Sequence, residues 1–174
     1  MARARSTIEN GIVSGCTNGI YTPGVASTDG ALIKDIIAFD NYQSIYIRGN
    51  NNRLLNVTVT VAATATARDD VLGLDGRDNN QVKGCYLSRS NIFISGRNNT
   101  AISNIVEDVK DTCLYSVFGG GSVVKNNTFR RCGFDGMNVD AANSSIVGNR
   151  FSIDSSFSFY DDYFTSTRIA EADL

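Results

Sequence analysis

The residues that could do chemistry in this 174-residue chain are carboxylates, guanidiniums and phenols, because it contains no His. An imidazole base, a Ser-His or Cys-His nucleophile and a His-ligated zinc are therefore excluded. Asp69-Asp70 is a vicinal acidic pair directly before an apolar stretch, in ARDDVLGL. Paired carboxylates of this kind can protonate a leaving oxygen and activate water. The plainer expectation is an Asp at a turn, its side chain accepting backbone N–H bonds. Arg77 and Arg97 stand near Asp75, and two stacked guanidiniums could hold a uronate or sialate carboxylate in bidentate fashion. The competing expectation is a ladder of exposed ion pairs, Arg48 with Asp75 and Asp75 with Arg97, each contributing less than ~1 kcal/mol. Tyr46 and Phe93, flanked by Arg48, Asp135 and Asp140, offer aromatic faces on which sugar C–H surfaces stack.

These groups gain a common frame from an internal repeat. The segments IYIRGNNNRLLN, LGLDGRDNNQVKG, IFISGRNNTAISN, YSVFGGGSVVKN and MNVDAANSSIVGN superimpose almost without gaps. One apolar column reads Ile45, Leu72, Ile92, Tyr115 and Met137, and two residues on it reads Ile47, Leu74, Ile94, Val117 and Val139. An amide-rich corner follows, at Asn51, Asp78, Asn98 and Asn143, and then a second apolar column at Ile33, Leu54, Val82, Ile102, Val124 and Ile146. Two residues beyond that stand Asp35, Asn56, Gly84, Asn104, Asn126 and Gly148. The period is about 22 residues, broken once by the insert Val61 to Asp70.

Short period-2 strands joined by Gly/Asn corners at that period predict an all-β chain: a single-stranded parallel β-helix, or β-solenoid, of about six coils of ~20–23 residues with N- and C-terminal caps. Asn and Gly tolerate the left-handed backbone of a sharp corner, and stacked Asn side chains can bond amide to amide. The 18 Asn and the single Pro then have a cause. Pro would remove ladder hydrogen bonds from strands that are nearly all internal. The expected organisation is an N-terminal cap or arm over 1–19, the β-helix over 20–155 and an aromatic cap or interaction tail over 156–174.

The alignment places Asp70 and Asp135 in one column, with Gln43, Ser90 and Cys113. It places Arg48, Asp75, Ser95, Phe118 and Asp140 in an outward one. Lys34, Lys83 and Lys125, alternating with Leu55 and Ser103, form a Lys row read as a solubilising face. The four cysteines, Cys16, Cys85, Cys113 and Cys132, form no CxxC and are expected to be reduced and mostly buried, a Cys113–Cys132 bridge being the alternative. No cofactor is implied. Calcium could be held only by Asp clusters, and no spaced Asp-x-Asp-x-Asp loop exists. The net charge of -2 and pI near 5.0 argue against a nucleic-acid partner. No run of 18 apolar residues suggests a membrane span, and the first 15 residues do not read as a signal peptide. A virion or tail component and cytoplasmic expression both fit.

The stretches SVVKNNTFRRCGFDGMNV and SSIVGNRF resemble the coil of the right-handed parallel β-helix in the pectate-lyase-like superfamily. The resemblance covers about residues 20–153. It implies the architecture and leaves the activity open, since members include lyases, polygalacturonases, epimerases, phage tailspikes and non-catalytic surface proteins. Asp69-Asp70 is similar to the polygalacturonase Asp-Asp motif, but that family's Gly-His-Gly and Arg-x-Lys are missing. The reading preferred on sequence is a non-catalytic module of a spike-like or surface protein that binds polysaccharide or assembles with itself, with a homotrimer as the favoured form. The alternatives are a polysaccharide lyase or glycoside hydrolase on acidic glycans using Asp69, Asp70, Asp75, Arg77 and Arg97, and an excised or designed β-helix fragment without activity of its own.

Overall fold

A computed structural model describes residues 6–22, 29–61, 71–75, 78–117, 120–139 and 143–152. The described chain is a parallel β-solenoid of about five turns, all-β, with three strands per coil. One sheet stacks Asn18–Tyr21, Gln43–Arg48, Val71–Asp75, Asn91–Ser95, Leu114–Val117 and Met137–Val139 in chain order, and is called here the aromatic face. The other sheet wraps the remaining two sides. Its long strand Leu32–Phe39 spans both, pairing through its first half with Arg53–Leu55 and through its second half with Thr58–Thr60. Above Arg53–Leu55 lie Gln81–Lys83, Thr100–Ile102, Val123–Lys125 and Ser145–Val147, which form the lysine face. Above Thr58–Thr60 lie Tyr86–Ser88, Ile105–Glu107, Thr128–Arg130 and Arg150–Ser152 on the third face. Thr7–Ser14 pairs with Leu32–Phe39, so part of the expected N-terminal cap forms a rung of the stack. The tail 156–174 lies outside the described residues.

Alternation fills the interior. Ile45, Leu72, Ile92 and Leu114 form one buried column, Ile33, Leu54, Val82, Ala101 and Val124 a second, and Ala38, Val59, Leu87, Val106 and Phe129 a third. Burial of this apolar surface, at roughly 25 cal/mol per Å², is the main favourable term holding the rungs together. The open end of the core is continued by Phe151, whose ring stacks on Phe129 with centroids 5.3 Å apart.

The corners carry the register. Asn51, Asn79, Asn98 and Asn143 all have left-handed backbone, as do Asp35, Asn56, Ser103 and Asn126 at the next corner. The residue after each turns inward, and two buried amide ladders result. Asn52 N–H donates to Asn80 Oδ1 at 2.9 Å and Asn80 N–H to Asn99 Oδ1 at 2.8 Å. At the other corner Cys85 N–H donates to Asn104 Oδ1, Asn104 N–H to Asn127 Oδ1 and Asn127 N–H to Asn149 Oδ1, each at 2.9 Å. Each Asn thus satisfies a backbone donor of the rung before it, at a bend where the strand ladder is interrupted.

That spacing corrects the expected columns. The inward corner residues pair five apart in every coil: 52 with 57, 80 with 85, 99 with 104, 122 with 127, 144 with 149. The residue midway is therefore Ala101 and not Ile102, which points outward with Lys83 and Lys125. Leu114 pairs with Ile92, so Tyr115 faces solvent opposite Phe93, and Ser116 takes the core place expected of Val117. Along the chain the next buried position among the described residues after Ser116 is Ser122, six residues on, against five from Ile94 to Asn99. Val117, in turn, pairs with Ser95 where Phe118 was expected. Asn79, not Asp78, holds the left-handed corner position, and Ser103 replaces Asn104.

The cysteines are not all reduced. Cys113 and Cys132 form a disulfide, their Cα atoms 5.6 Å apart, while Cys16 and Cys85 are free. Coil stacking brings residues about one period apart into reach, and both cysteines lie at the widened corner between the third and aromatic faces.

Candidate functional site

On the aromatic face the outward column runs Tyr21, Tyr46, Gly73, Phe93, Tyr115 and Asn138, each directly opposite the next. The inward neighbours Ile45, Ile47, Leu72, Leu74, Ile92 and Ile94 fix these outward directions by alternation. Tyr21 and Tyr46 stack with ring centroids 6.0 Å apart and an interplanar angle of 23°. The next rung presents Gly73, and the Tyr46 phenol crosses that rung to donate its hydroxyl proton to Asp75 Oδ2. A side chain at position 73 would stand in the outward column between Tyr46 and Phe93.

Asp75 collects three donors. Besides Tyr46, Arg48 Nε lies 3.1 Å from Oδ2 and Ser95 Oγ 3.0 Å from Oδ1. The Arg48 guanidinium also sits 5.5 Å from the Tyr46 ring centroid, within cation–π range. Thr22 ties the site to the rung below: its Oγ1 accepts the Arg48 N–H at 2.7 Å, and its own N–H donates to the Tyr46 carbonyl at 3.0 Å. Burial pushes the Tyr46 phenol above the ordinary tyrosine range, and its bond to the Asp75 carboxylate pushes it further the same way. It stays a neutral donor through physiological pH.

Of the residues singled out from sequence, Tyr46, Arg48 and Asp75 are brought into direct contact. Phe93 shares the column two rungs from Tyr46 and is half-buried. Arg97 is exposed, its N–H bonding Asp78 Oδ1 at 2.9 Å, and no ion pair joins its guanidinium to Asp75. Asp135 is half-buried at the widened corner, its carbonyl accepting the Cys113 N–H at 3.0 Å. Asp69, Asp70, Arg77 and Asp140 lie outside the described residues.

Sequence reasoning missed four participants. Tyr21 was within reach, because Ile20 pairs with Ile45 and the next residue must face out. Ser95 and Gly73 gave no signal of their own. Tyr115 was hidden by the one-residue shift. Its hydroxyl donates to Asp111 Oδ1 at 2.9 Å, and burial raises its pKa.

Asp75 is occupied as an acceptor by its own neighbours, so it braces Tyr46 and Arg48 instead of facing an open space as an acid or base would. The exposed parts are the Tyr21 ring and the edge of Arg48, an aromatic surface with a cation beside it. Among the described residues no group of three or more His, Cys, Asp or Glu could hold a metal ion. Burial pushes the free Cys85 thiol up to about 11, so it is not a nucleophile at neutral pH. No protein-family model matches the chain, and neither a curated protein nor a solved structure is significantly similar to it.

Proposed function

We propose that this β-solenoid is a non-catalytic binding module of a spike-like or surface protein, and that its aromatic face recognises polysaccharide. One observation carries this reading: Tyr21 and Tyr46 are stacked on successive rungs, and Tyr46 is held by Asp75 with Arg48 beside its ring. Rigid, exposed aromatic rings lose little entropy on binding, and a sugar's C–H face gains apolar contact on them while Arg48 can donate to its hydroxyls. The coil sequence resembles that of the pectate-lyase-like β-helix proteins, whose members include phage tailspikes and non-catalytic surface proteins. The Cys113–Cys132 disulfide supports a working place outside a reducing cytosol, as at a virion or cell surface.

The lyase or hydrolase reading has less support. Of its residues, Asp75 is committed to Tyr46, Arg48 and Ser95. The test is titration calorimetry against a panel of neutral and acidic oligosaccharides with the wild type, Tyr21→Ala and Tyr46→Ala. Loss of an aromatic partner should weaken binding by about 3- to 10-fold, the equivalent of ~0.5–1.5 kcal/mol. Wild-type binding to no oligosaccharide, or binding unchanged in both variants, overturns the proposal. Self-assembly belongs to the same reading, and light scattering that returns a monomer at high protein concentration removes the homotrimer.

A further inference from the structure

The two corners that border the lysine face hold a second kind of pattern. Asn occupies their left-handed place on seven rungs, from Asn10 to Asn143, and Gly30, Asp35, Gly84, Ser103, Gly121 and Gly148 occupy it on the others. Four of these Asn stand two residues before a hydroxyl, in Asn56-Val57-Thr58, Asn98-Asn99-Thr100, Asn126-Asn127-Thr128 and Asn143-Ser144-Ser145. They are the four Asn-x-Ser/Thr triplets of the whole sequence, and each has the form of an acceptor for an N-linked glycan. All four Asn are exposed. The corner itself does not demand the hydroxyl. Where the corner residue is not Asn, the first outward place of the next strand holds Leu32, Ile37, Tyr86, Ile105, Val123 or Arg150. Ser and Thr therefore follow the exposed Asn and not the bend.

The side-chain geometry suits the same role. The side-chain oxygens of Asn56, Asn98 and Asn126 lie against the corner of the next rung, where a Cβ at Gly84, Gly121 or Gly148 would collide with them. With the oxygen turned to the stack, the amide nitrogens of Asn98, Asn126 and Asn143 have no hydrogen-bond partner among the described residues. Asn56 Nδ2 reaches Asp35 Oδ1 at 3.3 Å. Spacing also leaves room. Rungs repeat at about 4.8 Å, too close for branched glycans on successive rungs of one corner. The rung after Asn56, Asn98 and Asn126 presents Gly84, Gly121 and Gly148, and no two acceptors are neighbours in a corner column. The Cys113–Cys132 disulfide independently supports passage through an oxidising compartment, the setting in which N-linked glycans are added.

We propose that Asn56, Asn98, Asn126 and Asn143 are N-glycosylation sites whose glycans line both long edges of the lysine face. In the transfer, the amide nitrogen bonds the anomeric carbon of a lipid-pyrophosphate-linked oligosaccharide. The anomeric C–O bond to the pyrophosphate breaks, the lipid pyrophosphate leaves, and the amide gives one proton to a base of the transferase. The hydroxyl of Thr58, Thr100, Thr128 or Ser145 completes the triplet that the transferase reads. This goes beyond the aromatic-face reading, uses none of its residues and stands or falls separately.

The experiment sends the full chain through the secretory pathway of cultured animal cells behind a cleavable leader. Secreted and cell-retained protein are both collected, so a folding failure cannot hide the result. Each is treated with a peptide N-glycosidase in heavy-oxygen water, which turns every glycan-bearing Asn into a labelled Asp, and peptide mass spectrometry locates the label. The expected result is an intact mass above the 18.8 kDa of the bare chain that falls on treatment, with label at Asn56, Asn98, Asn126 and Asn143. Asn51 and Asn79, left-handed corner residues followed by Arg53 and Gln81, should carry none. Thr100→Val and Thr128→Val keep each Asn and favour the strand, so they should lose label at Asn98 and Asn126 respectively with an unchanged circular dichroism spectrum. Label at three or four of the sites, removed site by site in these variants, bears the proposal out. Label at two sites or fewer, or label that persists at Asn98 in Thr100→Val, overturns it and leaves the oligosaccharide titration of the aromatic face to be judged on its own.

Discussion

The buried corner asparagines do more for this fold than their size suggests. Asn127 Oδ1 accepts from the backbone N–H and the side-chain amide of Asn104, and Asn127 Nδ2 donates to the Ala101 carbonyl and to Asn149 Oδ1. Asn127→Ala removes all four side-chain bonds at once and takes the partner from the buried Asn104 N–H and from the Ala101 carbonyl, while Asn149 Oδ1 keeps the backbone N–H of residue 127. Each stranded group costs about 1–3 kcal/mol, so urea unfolding should show at least that loss. Asn127→Asp keeps the acceptor but not the donor, and should fall between. A quite different residue, Asp108, sets a pH dependence. Arg131 donates to both its carboxylate oxygens, one bond being 3.0 Å long, and holds its pKa below the usual value. A depressed pKa makes the folded state bind its proton less readily than the unfolded chain does. The stabilisation is therefore present above about pH 4, the unfolded carboxylate's range, and is lost as pH falls through the lowered folded value. Asp108→Asn should remove that acid-side slope. The gap between wild type and variant in urea midpoint should close on acidification; a constant gap from pH 6 to pH 2 contradicts it.

At the scale of elements, the Cys113–Cys132 disulfide closes a loop of 19 residues across two coils. Restricting the unfolded chain over that length is worth about 3 kcal/mol in the chain-entropy account. Cys132→Ser should lower stability by roughly that amount, and reductant should then have no further effect on the variant. Gly73 gives a sharper test of how strands cooperate on the aromatic face. Gly73→Val raises strand propensity and leaves the inward neighbours Leu72 and Leu74 in place, and adds a branched side chain directly opposite Tyr46 in the outward column, where it is expected to disturb the Tyr46 bond to Asp75. Phenol titration should show Tyr46 ionising at lower pH in that variant, because both causes of its raised pKa, burial and the Asp75 bond, are weakened. The same elements explain what sequence could and could not reveal. Period-2 alternation and Gly/Asn corners make the solenoid legible, and Tyr46, Arg48 and Asp75 fall into adjacent outward places by counting alone. Counting failed where size was taken as the guide to burial. Ile102 is larger and more apolar than Ala101, but the buried Asn99 and Asn104 on either side decide which of the two turns inward. Tyr115 was lost to the interior column because the step from Ser116 to the next inward residue, Ser122, is one longer than that from Ile94 to Asn99. A hydrogen bond such as Ser95 to Asp75 joins residues 20 apart whose types are unremarkable, so no local pattern announces it.

The whole molecule is a stack in which each rung touches only the one before and the one after, which makes stability a matter of position. Ile94 is buried in a middle rung between Leu74 and Ser116, whereas Ile20 is half-buried in the first rung and has a single neighbour, Ile45, in its column. Ile94→Ala should cost about 2–5 kcal/mol, with the larger part of that range expected because packed rungs on both sides prevent collapse into the cavity. Its consequence should spread: amide exchange should quicken across Leu72–Asp75, Asn91–Ser95 and Leu114–Val117 together, since an open middle rung exposes an edge in both directions. Ile20→Ala should cost less and act in one direction only. Exchange should quicken over Thr7–Ser14 and Asn18–Tyr21, including the Tyr21 half of the stacked pair, while Thr100–Ile102 and Val123–Lys125 keep wild-type protection. Hydrogen exchange read rung by rung on the two variants decides between a chain of nearest neighbours and a single cooperative block. If Ile20→Ala lowers protection equally from the first rung to the last, the single cooperative block is the correct description. If the loss stays near the first rungs, the stack is a chain of nearest neighbours.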